Sequence, residues 1–228
     1  MGKDFNIKEN LSIVEVLTET VNHFGDKVAF STSLSWEDQV ITHHIFSNNL
    51  PIRVFTLDTG RLFQETYGVL NRTIDRYKKD IEVFFPKHEK VQEMLTHKGP
   101  LSFYASLENR KECCFIRKVE PLNRALEGVE CWITGLRSEH SENRKDMSII
   151  EKDEQRGIIK VHPIFNWTLE QVKEDVKKNN IPYNSLHDKG FVSIGCQPCT
   201  RAVKEGENFR AGRWWWEQSD KKECGLHS

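Results

Sequence analysis

Apolar positions recur at helical spacing over residues 11–24, where Leu11, Val14, Leu17, Val21 and Phe24 share one face. The spacing predicts an amphipathic helix, closed by Gly25-Asp26. Short apolar runs then alternate with longer periodic ones. Residues 27–33, carrying Val28-Ala29-Phe30, read as a buried strand entering a Ser/Thr-rich turn, and a helical pattern covers 36–46. Residues 52–57 form a second strand ending in Asp58-Thr59-Gly60, with a helix over 62–77 and a third strand over 81–85. Residues 88–98 and 107–127 read as helices, 131–134 and 158–161 as strands. A last helix spans 168–178, with Thr168 and Gln171 at capping-box spacing. This alternation predicts an α/β fold, a mainly parallel twisted sheet flanked by helices. From about Ile181 the periodicity fades into Gly-, Pro- and aromatic-rich sequence, which divides a domain of residues 1–190 from a cysteine-bearing tail of 191–228.

The totals narrow the function classes. A chain of 228 residues is long enough to bury a sizeable core. Its net charge of −1 lacks the basic excess of a nucleic-acid binder, so no nucleic acid is expected as partner. No run approaches the roughly 20 apolar residues needed to span a bilayer, so no membrane partner is expected either. The N-terminus is polar and amphipathic without a signal-like apolar stretch, and Ile7 stands where myristoylation after Met1-Gly2 requires Ser or Thr. The expected location is cytoplasmic, where six cysteines point to metal ligation or catalysis rather than disulfides.

Four of those cysteines form two pairs, Cys113-Cys114 and Cys196-Gln197-Pro198-Cys199. Four thiolates in two pairs suit zinc or an iron–sulfur cluster. Neighbouring cysteines reach one tetrahedral zinc only through a tight chelate ring, whereas two iron corners relieve that strain; the spacing tilts toward a cluster and leaves both open. A redox dithiol fits less well, because Cys196 follows Ser193-Ile194-Gly195 in irregular sequence. Helical geometry puts Arg117 and Lys118 one turn beyond the first pair, either to balance negative charge or as a solvated edge. Cys131 leads an apolar strand and reads as core. Cys224 sits in Lys221-Lys222-Glu223-Cys224-Gly225-Leu226-His227-Ser228, where Lys221, Lys222 and His227 favour its thiolate and Glu223 opposes it. It reads as a nucleophile on an arm, or as an idle tail. Trp214-Trp215-Trp216 precede Glu217 and Asp220 without a basic stripe, and read as an anchor for the tail.

Taken in order, these residues resemble the adenylyl-sulfate and phosphoadenylyl-sulfate reductase family over residues 27–228. The resemblance is carried by Cys113-Cys114 followed by Arg117-Lys118-Val119-Glu120-Pro121-Leu122, by Thr134-Gly135-Leu136-Arg137, and by Tyr183-Asn184 leading through Leu186-His187-Asp188 to the second cysteine pair. Arg210-Ala211-Gly212-Arg213-Trp214 and Glu223-Cys224-Gly225-Leu226-His227 complete it. It implies a fold of the adenine-nucleotide α-hydrolase type, related to ATP pyrophosphatases. It implies that Cys224 attacks the sulfur of a sulfonucleotide and displaces AMP, and that thioredoxin or glutaredoxin then releases sulfite; His227, three residues on, reads as a group that neutralises the approaching anion or helps form the thiolate, or as a solvent-exposed side chain. It also implies a [4Fe–4S] cluster on Cys113, Cys114, Cys196 and Cys199, which in this family accompanies a preference for adenylyl sulfate. Lys118, Arg137, Arg144, Arg210 and Arg213 are expected around the phosphosulfate, where placed cations offset repulsion between thiolate and sulfate.

The turn Ser31-Thr32-Ser33 stands at a phosphate-loop position after the first strand, though alone it reads as a strand–helix turn with a Ser cap. Asp58 is expected near the nucleotide or as part of a structural turn. Two rivals stay open: the same chemistry on phosphoadenylyl sulfate or on both substrates, and a zinc-stapled binding protein. An ATP-consuming thiolation enzyme is disfavoured, because the turn lacks the Gly-rich form. The sequence leaves a homo-oligomer open.

Overall fold

The computed structural model describes residues 5–8, 10–140 and 148–217. Its first helix, α1 (Ile13–Phe24), begins where Ser12 and Glu15 satisfy each other's backbone N–H groups in a capping box. Its buried face is Ile13, Val16, Leu17 and Thr20, and the other residues of the stripe read from the sequence, Leu11, Val14, Val21 and Phe24, pack against the same core partly buried. Thr20 tolerates burial because its hydroxyl donates to the Val16 carbonyl at 2.8 Å.

Six strands follow: β1 (Val28–Thr32), β2 (Arg53–Leu57), β3 (Glu82–Phe84), β4 (Cys131–Ile133), β5 (Ile150–Asp153) and β6 (Ile158–Val161). They lie in the order β3-β2-β1-β4-β6-β5. β1 is parallel to β2 and to β4, and β4 to β6, while β5 turns back antiparallel on β6. The sheet is thus mainly parallel, as expected. β5 escaped the sequence reading because Glu151 and Lys152 break its apolar run, a composition that suits an edge strand.

The chain builds two compact units and passes between them several times. The first takes residues 1–56, 68–82 and 128–184. Here Phe30, Ile133 and Val161 of the parallel strands pack with Leu17 of α1, with Ile41 and Ile45 of α2 (Trp36–Ser47), and with Val172 and Val176 of α7 (Leu169–Lys178). Fully burying such a side chain contributes ~1.5–3 kcal/mol. Cys131 belongs to this core, and burial pushes its thiol up to about 12. α3 (Gln64–Tyr77) begins in the second unit and ends in the first.

The second unit takes residues 57–67, 83–127 and 185–228. It contains α4 (His88–Lys98), α5 (Leu107–Cys114) and α6 (Glu120–Ala125). The single helix expected over 107–127 is divided by a π-turn at Phe115–Val119, in which Glu120 N–H reaches back to the Phe115 carbonyl. Pro121 accounts for it: with no N–H to give the carbonyl four residues back, and a ring that crowds it, the wider turn is favoured. Among the described residues no helix is long and apolar enough to cross a membrane.

Candidate functional site

Two elements of the second unit carry the paired cysteines. α5 is capped by Ser106, whose hydroxyl accepts from Asn109 N–H at 3.2 Å, and it ends in Cys113 and Cys114. The short 3-10 turn Gln197–Cys199 presents the second pair, tightened by Cys199 N–H donating to the Cys196 carbonyl at 2.9 Å. All four cysteines line one small pocket with Arg61, Phe103, Arg110, Arg117 and Lys118.

The turn after β2 ties the pairs together. Thr59 accepts Arg117 Nη1–H at its carbonyl, at 2.6 Å, and the Cys196 thiol at its hydroxyl, at 3.3 Å. The Arg61 carbonyl accepts Gln197 N–H at 2.8 Å. Asp58 shapes this turn, accepting from Gly60 N–H at 2.8 Å and from the Tyr67 hydroxyl at 2.9 Å. Thr59, Arg61 and Arg110 were missed as site residues by the sequence reading. For the first two the signal was present in the Asp-Thr-Gly-Arg run, of which only Asp58 was singled out.

The second unit also holds donors that lack acceptors. Arg117, Arg213 and Trp214 are buried, and Arg117 Nε, Arg213 Nε and Trp214 Nε1 have no hydrogen-bond partner among the described residues. Trp214 packs in the same cluster as Cys113, Cys196 and Cys199. Arg213 lies against Gly195, where a Cβ would stand 2.3 Å from Nη2, so only glycine admits the guanidinium there. Buried donors without acceptors are costly, and four sulfurs beside them fit an anionic, sulfur-rich group. Among the described residues no three His, Cys, Asp or Glu side chains gather as one metal ion requires. Burial pushes Cys113 up and Cys199 up to about 12, so as free thiols both stay protonated near neutrality, and taking a metal would expel protons.

The first unit carries the other candidates, at the carboxyl ends of β1 and β4. Ser31 accepts Trp132 Nε1–H at 2.9 Å, and Thr32 accepts Leu34 N–H at 3.1 Å. Leu34 holds a φ of +63° while fully buried, the left-handed conformation that a glycine adopts without strain. Ser35 occupies the N-cap of α2, but its side chain makes no capping bond. Instead Asp38 reaches back to accept Ser33 N–H at 2.6 Å and the Ser33 hydroxyl at 2.5 Å. Gly135 fits closely against it: an added Cβ would meet Asp38 Oδ1 at 2.1 Å. Arg137 is buried, paired with Glu37 at 3.0 Å and Glu139 at 2.6 Å. Thr134 bonds His162 at 2.7 Å, and His162 bonds Glu151 at 3.0 Å.

Burial drives Asp38 up to about 6, against the pull of its bonds from Ser33 and Gly135. An unfolded Asp titrates near ~3.9, so the folded state holds this proton more tightly. Its contribution is therefore complete below about pH 4 and is lost as the pH rises to about 6, by ~3 kcal/mol. The stability of the wild type relative to Asp38→Asn is expected to fall by ~2 kcal/mol of this between pH 4.5 and 7 in urea unfolding; a constant difference would refute the assignment.

The candidates therefore assemble in two groups, each within its own unit. Ser31, Thr32, Ser33 and Arg137 belong to the first, and Asp58, Lys118, Arg210 and Arg213 to the second. The Arg210 and Arg213 guanidiniums lie over the Trp214 ring, at 5.9 and 4.8 Å from its centroid. Arg144, Cys224 and His227 lie outside the described residues.

Known proteins resemble this chain in sequence and fold. A protein named adenosine 5'-phosphosulfate reductase from Burkholderia cepacia is 48% identical over 214 residues, covering 94% of this chain and 86% of its own. One of the same name from Neisseria meningitidis serogroup B is 50% identical, covering 87% of this chain and 81% of its own. The crystal structure of phosphoadenylyl-sulfate reductase from Candida auris, a phosphate complex, superimposes with a TM-score of 0.73 at 28% identity, covering 88% of this chain and 100% of that one. An FMN adenylyltransferase from Candida glabrata shares the fold alone, at a TM-score of 0.56 and 14% identity, covering 99% of this chain and 81% of that one. The family described as phosphoadenosine phosphosulfate reductase domain matches residues 27–202, and with relatives this similar over most of its length, the chain belongs to that family.

Proposed function

We propose that the chain reduces adenylyl sulfate to sulfite and AMP, with Cys224 as nucleophile. The observation that carries this reading is the pocket lined by Cys113, Cys114, Cys196 and Cys199 among Arg61, Arg110, Arg117 and Lys118, in a chain about half identical to proteins named for that activity. The Cys224 thiolate attacks the sulfur of the sulfate group. A sulfur–sulfur bond forms, the bond from sulfur to the bridging oxygen breaks, and AMP leaves with that oxygen and the electron pair. A dithiol protein, thioredoxin or glutaredoxin, then attacks the Cys224 sulfur and expels sulfite, and its second thiol resolves the mixed disulfide, supplying two electrons in all. Arg210 and Arg213 offset the charge of the approaching anions, with Lys118 near the cysteines. Arg137 and Arg144 belong with the cations assigned to the phosphosulfate, and Ser31, Thr32 and Ser33 in the first unit and Asp58 in the second are the further substrate-binding residues. His227 assists the thiolate.

Cys113, Cys114, Cys196 and Cys199 would hold a [4Fe–4S] cluster. The four thiols line one pocket, and the unmatched N–H groups of Arg117, Arg213 and Trp214 supply donors for an anionic group. When bound, the cluster supplies structural tethering and charge, since the dithiol already provides both electrons. The proposed location is the cytoplasm, whose reducing poise keeps these thiols available.

The test is sulfite release from adenylyl sulfate and from phosphoadenylyl sulfate in parallel, with anaerobically purified, iron-replete protein and thioredoxin. A clear preference for adenylyl sulfate is expected. Preference for the 3'-phosphorylated nucleotide would keep the mechanism and overturn the substrate, and no sulfite from either would overturn the function.

A further inference from the structure

Arg110 stands one turn before Cys113 and Cys114 on α5, and its guanidinium is turned away from solvent into a fork-to-fork pair with Glu217. Nε donates to Oε1 at 2.8 Å and Nη2 to Oε2 at 3.0 Å. The side chains are only 3% and 10% exposed. A pair this buried pays heavily in lost hydration, so it is a poor device for stability and a good one for holding one geometry. The same guanidinium lies 4.5 Å over the Trp214 ring. Trp214 is itself fixed: its N–H donates to the Cys199 carbonyl at 3.2 Å, and its carbonyl accepts Glu217 N–H at 2.9 Å. Residues 214–217 are thereby bound to both cysteine elements, at Arg110 on one side and Cys199 on the other.

Cys224 follows Glu217 by seven residues. A fully extended chain gains ~3.3–3.6 Å per residue, so the thiol acts within about 25 Å of Glu217. Building on the role proposed above for Cys224, we infer that the Arg110–Glu217 pair is the root of the segment bearing it, a positioning pair that fixes the orientation of Glu217, where that segment starts, against the cysteine-bearing helix. Direction matters more here than tether length. Freeing the chain back to Trp214 lengthens the tether by three residues, and the −3/2 power law for effective concentration makes that less than a twofold loss. Loss of direction acts on the alignment of attack, where misplacement is far more costly.

The experiment uses the full, iron-replete chain with Glu217→Gln, Arg110→Gln and the double variant. Glu217→Gln carries the test, because Arg110 also lines the cysteine pocket and its loss risks the fold. Single-turnover formation of the Cys224 adduct, followed by intact mass without reductant, is expected to slow about tenfold or more in Glu217→Gln at saturating adenylyl sulfate. Equilibrium nucleotide binding and iron content should stay within twofold of wild type, and the double variant should be no slower than the slower single one. Adduct formation within twofold of wild type would overturn the positioning role, and so would loss of iron, which would make the pair a support of the cysteine centre. If the wild type itself forms no adduct on Cys224, it is the functional reading that fails. Hydrogen exchange then decides the anchor alone: residues 210–217 should exchange faster in Glu217→Gln, and unchanged exchange would overturn it.

Discussion

Serine at position 224 is expected to abolish the covalent sulfite adduct while leaving iron content and nucleotide binding unchanged. The thiolate is the attacking species. A cysteine near neutrality is partly ionised, and in the sequence Lys221, Lys222 and His227 favour the thiolate form at position 224 while Glu223 opposes it. A serine hydroxyl at the same place is a far weaker nucleophile with no general base assigned to it, so the step should fall by about 1,000-fold or more. Nor can another cysteine stand in. Cys131 is fully buried in the sheet and pushed up to about 12, which leaves on the order of one thiolate in 100,000 at pH 7. The paired cysteines are committed as ligands in this reading. Intact mass after mixing with adenylyl sulfate, without reductant, reads the outcome directly. The wild type should gain one SO3 group and Cys224→Ser none; an adduct on the variant would remove Cys224 from the mechanism.

The parallel sheet was legible because its strands are buried on both faces and bounded by turn residues. Val28-Ala29-Phe30 and the 158–161 run announce themselves in this way, whereas β5 does not, since Ile150 is its one apolar residue and Glu151, Lys152 and Asp153 follow it. The cysteine pairs were legible from spacing alone. What escaped was whatever depends on close approach rather than pattern. No periodicity shows that Thr59 and Arg61 join Arg117 to Gln197, because those bonds run through backbone carbonyls. The π-turn had its signal in Pro121, which stands well inside the 107–127 pattern, where a missing N–H interrupts the helical bonding. Arg110 reads as one more charge on a polar helix, and only its partner more than a hundred residues away distinguishes it. Arg137, expected at an anion, is seen engaged by Glu37 and Glu139, which are distant or polar in sequence and adjacent only after the loop following β4 has folded.

The choice between ligand and core cysteine is open to a direct comparison. Cys113→Ser is expected to lose most of the bound iron, and Cys131→Ser to keep it. Both residues are buried thiols, at 7% and 0% exposure, so a general effect of placing a hydroxyl in the interior applies to each. That effect is about 1–3 kcal/mol when the hydroxyl finds no partner. They differ in what surrounds them. Cys113 closes α5 beside Cys114, in a pocket shared with Cys196, Cys199 and the guanidinium of Arg117, whereas Cys131 sits between β1 and β6 in the hydrophobic core of the other unit. A serine oxygen is a hard, weakly acidic donor that binds iron in a sulfide cluster poorly, so one lost thiolate should destabilise the whole group. Iron and acid-labile sulfide assays with visible absorption, made on both variants beside the wild type, separate ligation from folding. Loss in Cys113→Ser alone supports the ligand set. Equal loss in both would trace it to destabilisation, full iron in Cys113→Ser would remove that cysteine from the centre, and zinc in place of iron in the wild type would favour the stapled binding protein.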